Sequence, residues 1–159
     1  MMGSSGLASD MTLFVRFPPK WNHIEPLRQY IDLAARGRGY NGTADKLNIV
    51  AQELLENAVK YGDPSSEIEL ELRFLESFKS GGIEIRVSNK AHPSRLALLD
   101  KEYQRTRAEP PREAFTKALQ RTQRLPEGAT MLGLSRIAME ATLTLEVNGD
   151  RVVLTARVV

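Results

Sequence analysis

Glu53, Asn57 and Lys60 are spaced i, i+4 and i+7. At about 100° per residue this spacing gathers them within a narrow arc of a helix. The apolar residues of the same stretch, Leu47, Val50, Ala51, Leu54, Leu55 and Ala58, are expected on the opposite face. One patch then carries a carboxylate, an amide oxygen and an ammonium. Spacing alone leaves two readings open. Either the patch is the ordinary polar side of an amphipathic helix, with Glu56 and Lys60 forming an exposed pair worth about a few tenths of a kcal/mol, or it is a site.

The helix that must position these groups covers residues 43–61 by its periodicity and stops at Gly62-Asp63-Pro64. Before it, residues 11–17 alternate as a strand that Pro18-Pro19 ends, and residues 24–36 form a helix with Pro26 in its first turn; Gly37, Gly39 and Gly42 then break the chain. After it, residues 68–74 and 83–87 alternate strictly, Ile68, Leu70, Leu72 and Phe74 inward against Glu69, Glu71 and Arg73, and form two neighbouring antiparallel strands. Residues 131–140 read as a helix, and residues 143–147 and 152–158 as a hairpin around Asn148-Gly149-Asp150. This mixture implies an α+β domain with an antiparallel sheet and helices on one face.

Composition narrows the chemistry. The chain has 159 residues, enough for one domain over residues 11–159 after a small, polar, flexible segment 1–10. With no cysteine, disulfides, thiolate metal sites and thiol catalysis are excluded. The two histidines, His23 and His92, show no ligand spacing. The +2 charge comes from interspersed acidic and basic residues, which argues against a nucleic-acid binder. No apolar run reaches the roughly 20 residues of a membrane helix, so a cytoplasmic location is expected. Trp21 is expected as a packing anchor at the first helix.

The whole segment Gln52-Glu53-Leu54-Leu55-Glu56-Asn57-Ala58-Val59-Lys60-Tyr61-Gly62 resembles the N-box of the GHKL superfamily, the ATP-binding domains of gyrase, Hsp90, histidine kinases and anti-sigma-factor serine kinases. The resemblance implies that Glu53 is the general base, that the Asn57 oxygen holds Mg²⁺, that Lys60 reaches phosphate and that Tyr61 walls the nucleotide pocket. An amide oxygen suits Mg²⁺ because it leaves the ion its waters and phosphate oxygens, and phosphoryl transfer asks a protein mainly for positioning and charge neutralisation. Over nearly the whole chain the order of elements is similar to the compact Bergerat fold of the anti-sigma-factor kinases. It implies a two-layer α/β sandwich, histidine-kinase-like, with a mixed, mostly antiparallel sheet.

Two glycine boxes accompany an N-box in that family. In place of the first, Asp-x-Gly-x-Gly, stands Asn89-Lys90-Ala91-His92-Pro93, where Asn89 offers a side-chain oxygen to adenine. The second survives around Thr130, Gly133 and Leu134, where Gly133 lets a helix start approach phosphate. Between the boxes lies a lid, about residues 90–128, with two short helical stretches near 94–103 and 112–123. Residues 101–124 hold seven basic and three acidic residues, which serve a triphosphate, an acidic partner or simply the solvent. The resemblance implies ATP and Mg²⁺ as cofactors and a small anti-sigma-antagonist-like or sigma-factor-like protein as partner in bacterial signalling. It implies a serine/threonine kinase or weak ATPase, and a homodimer. The alternative is a degenerate GHKL-fold interaction module without catalysis.

Overall fold

The computed structural model describes residues 11–75, 82–122 and 132–159; the expected flexible segment 1–10 lies outside them. Strand β1 (Met11–Phe17) leads through a short 3-10 turn, Trp21–His23, into helices α1 (Ile24–Gly37) and α2 (Asn41–Tyr61). Strands β2 (Ile68–Phe74) and β3 (Ile83–Lys90) follow, then helices α3 (Pro93–Ala108), α4 (Pro111–Thr122) and α5 (Leu132–Glu140), and finally β4 (Thr142–Asn148) and β5 (Arg151–Val158).

The strands form one sheet in the order β1-β2-β3-β5-β4. Period-two alternation puts Ile68, Leu70, Leu72 and Phe74 of β2, Ile83, Ile85 and Val87 of β3, and Leu154, Ala156 and Val158 of β5 into one buried layer. Glu71, Arg86 and Thr155, paired across three strands, face the other way. Gly149, at φ +65°, makes the two-residue turn between β4 and β5, a conformation a side chain would strain.

The two-layer α+β arrangement and the antiparallel sheet match the pattern of the sequence, while the mixed sheet that the resemblance implied does not form. Every neighbouring pair is antiparallel. The helical crossover after β3 does return a strand parallel to it, β4, but β4 lies at the edge and β5 separates the two. Three local differences also follow from packing. Helix α2 starts at Asn41, so Gly42 lies inside the helix and does not break the chain. The first lid helix is longer than the stretch near 94–103 led us to expect, 16 residues, while the second keeps its expected 12 and starts one residue earlier, at Pro111. Trp21 is not a packing anchor: it is 58% exposed, and Ile24, Ile31 and Ala35 bury that helix.

Candidate functional site

Helix α2 is surrounded, packing on α1, on α5 and on strands β3 and β5. Its buried residues Leu47, Val50, Ala51, Leu54, Leu55 and Ala58 are the apolar set expected from spacing. Glu53 was expected on the side away from them, yet it is 8% exposed because α5 covers it.

Arg136 of α5 donates from Nη1 to Glu53 Oε1 at 2.6 Å. Burial nevertheless pushes the Glu53 carboxyl above its ordinary value, outweighing the pull of the Arg136 charge and its hydrogen bond; Glu56 adds a smaller push in the same direction. Beside it, Asn57 Nδ2 is buried without a hydrogen-bond partner, a costly arrangement for an amide. Gly133, in the first turn of α5, sits against both residues. A Cβ there would lie 2.8 Å from Glu53 Oε2 and 3.2 and 3.3 Å from the two amide atoms of Asn57. The backbone comes this close only because the residue is glycine.

A hollow beneath this point is lined by Asn57, Tyr61, Asn89 and Arg95 over an apolar floor that includes Leu54 and Val87. Its volume is about 10 Å³, room for about one water. Asn89 is buried, the last inward residue of β3, and its Nδ2 donates to the Lys90 carbonyl at 3.2 Å. The Lys60 ammonium stands over the Tyr61 ring, 5.3 Å from its centroid, and the Lys60 carbonyl accepts from Arg95 Nη1 at 2.7 Å.

The chain leaves β3 without the glycine turn of the family pattern. No described non-glycine residue has positive φ. Ala91 makes a bridge to Gly62 instead, the His92 ring accepts from the Ser94 amide at 3.3 Å, and Pro93 begins α3. A close approach that needs glycine lies on the facing segment: a Cβ on Gly62 would be 2.3 Å from the Ala58 carbonyl and 3.0 Å from Asn89 Nδ2.

Of the residues singled out from sequence, Glu53, Asn57 and Gly133 therefore meet, and Asn57, Tyr61 and Asn89 line one hollow. Leu134 is buried in the core, and Thr130 lies outside the described residues. Arg136 and Arg95 were missed. Arg136 was legible: it lies three residues after Gly133, on the same face of any helix that begins at the glycine box. Arg95, brought to the site by the turn into α3, left no such trace.

Of the basic lid residues, Arg107 covers the Tyr103 ring at 5.5 Å and Arg112 is exposed, while Arg105, Lys117 and Arg121 line one hollow. Arg124 lies outside the described residues. Among the described residues no three His, Asp or Glu side chains are grouped to hold a metal. No helix of the described residues is long and apolar enough to cross a membrane.

No family model and no curated protein matches the chain. Among solved structures it is similar to a chain of the SiaB-SiaC complex from Pseudomonas aeruginosa, with a TM-score of 0.67 and 18% sequence identity over 92% of this chain and 88% of that one. At this identity the likeness establishes a shared fold.

Proposed function

We propose that the chain is an ATP- and Mg²⁺-binding regulatory protein of GHKL type, similar to the anti-sigma-factor serine/threonine kinases, which phosphorylates or sequesters a small protein partner. One observation carries this reading: Glu53, Asn57 and Gly133 converge around a buried amide nitrogen that has no partner. A core selected for stability has no reason to keep an unsatisfied amide against a buried carboxylate. The fold shared with a chain of a two-protein complex supports action through a protein partner.

The donor set fits the cofactor. Asn57 would hold Mg²⁺ through its side-chain oxygen, a hard donor of the kind the ion takes alongside water and phosphate. Lys60 neutralises phosphate charge, Gly133 admits phosphate to the start of α5, Asn89 reads the base and Tyr61 walls the pocket. Bound Mg·ATP supplies the transferable phosphoryl group. Glu53 takes the proton from a partner's hydroxyl, and burial suits it to that task by raising its affinity for a proton. Before it can act, the carboxylate must leave Arg136, and α3 or α5 must move to enlarge a hollow of about 10 Å³.

That small volume and the seated Arg136 also favour a second reading, a GHKL-fold interaction module in which the site is permanently closed. Calorimetry with Mg·ATP separates the two. The first reading expects saturable heat with the wild type and none with Asn57→Ala, and phosphate transfer to the partner that Glu53→Gln abolishes without abolishing binding. Absence of heat at millimolar Mg·ATP sinks the first reading and leaves the second.

A further inference from the structure

A second hollow lies on the other side of α5, between it and the hairpin of α3 and α4. It is far roomier, about 110 Å³, where roughly 10–15 Å³ admits one water. Drug-sized ligands need roughly 300–1,000 Å³, so this space suits a small group.

Its walls are cationic. Lys117 and Arg121 sit one turn apart on α4, Arg105 faces them from α3, and the buried hydroxyl residue Ser135 of α5 closes one side. Space exists because Ala108 and Ala114 stand where longer side chains would fill it. Glu102, 6% exposed, holds the arginines in place: its Oε1 accepts from Arg105 Nη1 at 2.7 Å, and its Oε2 lies 3.7 Å from Arg121 Nη2. The longer of these distances is outside hydrogen-bond range. Lys117 pairs with Glu109 on the rim. Three cations against two carboxylates leave a local charge of +1.

We propose that this hollow binds a phosphate dianion, the end of a small phosphate compound or of a phosphorylated side chain, held by Arg105, Lys117 and Arg121. Guanidinium forks and an ammonium are the groups that recognise such an oxyanion, and the volume admits the phosphate while leaving whatever carries it outside. The inference stands apart from the nucleotide reading, since no lining residue belongs to α2.

The test is a titration of inorganic phosphate into the full chain, in a buffer free of other oxyanions, followed by calorimetry and thermal unfolding, with chloride at matched ionic strength as the control. Phosphate is expected to bind saturably and raise Tm where chloride does not. Arg121→Gln and Lys117→Gln should each weaken binding about tenfold, corresponding to 1.4 kcal/mol. Ala114→Leu, which fills the space without changing charge, should abolish it. Arg112→Gln, exposed and outside the hollow, and Asn57→Ala should leave it unchanged. A phosphothreonine peptide tighter than phosphate names a protein side chain as the source, and equal affinity names a small phosphate; both uphold the site. The proposal is overturned by absence of a phosphate-specific effect at tens of millimolar, by full binding in Ala114→Leu, or by loss of binding in Asn57→Ala, which moves the anion to α2.

Discussion

Helix α2 is buried on two sides in two different ways. Toward the sheet and α1 it presents Leu47, Val50, Ala51 and Leu55, each fully buried among apolar neighbours. Toward α5 it presents Glu53 and Asn57, buried against a glycine backbone and an arginine, with one amide nitrogen unsatisfied. Packing explains the first side completely. On the second, a carboxylate is desolvated and an amide left unpaired, and both cost stability that leucines in their place would not. The first side holds the fold, and the second gives up stability at the residues proposed as a site.

The largest break in that contrast should come from the apolar side. Leu47→Ala is expected to cost about 2–5 kcal/mol, read as a fall in the denaturation midpoint, while the folded fraction keeps its response to ligand. Next comes Gly133→Ala. Replacing glycine within a helix ordinarily gains about 0.5–1 kcal/mol, but here the new methyl meets a pinned carboxylate at 2.8 Å, and the overpacking should prevail with a net loss of about 1–2 kcal/mol. Gly42→Ala is the control. Nothing lies within 4 Å of its Cβ position and its φ is not positive, so it should gain about 0.5 kcal/mol.

Arg136→Gln should have a smaller effect than Gly133→Ala, about 1 kcal/mol of destabilisation at neutral pH, because the arginine side chain is 46% exposed and its pairing is screened by solvent. The smallest expected effect is a pH dependence. Folding raises the Glu53 carboxyl above the 4.5 of an unperturbed glutamate. The folded state therefore binds more protons than the unfolded one above that value, and the contribution of Glu53 to stability is present below it and lost as pH rises. Relative to Glu53→Gln, the wild type should lose ground as pH rises above 4.5 in parallel urea titrations.

Much of the sheet side was legible because its signal is local. β1 and β2 run from Met11 to Phe17 and from Ile68 to Phe74, as alternation alone requires. The glycine before Asp150 marks the final hairpin in the same way. The site was legible only as a set of types. Glu53, Asn57 and Gly133 were identifiable from their spacing and wording, but whether Glu53 faces solvent depends on α5, whose Arg136 is 83 residues away. No periodicity within α2 reports a helix that packs on it from so far along the chain. The edge position of β4 was hidden for a similar reason: nothing within residues 142–148 reports that β5 pairs between it and β3.

The central claim is that the polar side of α2 gives up stability for a ligand, and paired thermal unfolding of wild type and Asn57→Ala, with and without Mg·ATP, tests it most directly. Without ligand the variant should be as stable as the wild type or slightly more so, since an unsatisfied buried donor is gone. With Mg·ATP at about 100 times Kd the wild type should gain about 2.7 kcal/mol, or roughly 5–10 °C for a domain of this length, and the variant nothing. Destabilisation by Asn57→Ala together with no Mg·ATP response in the wild type would contradict the account, making that side of α2 an unusual piece of core and nothing more.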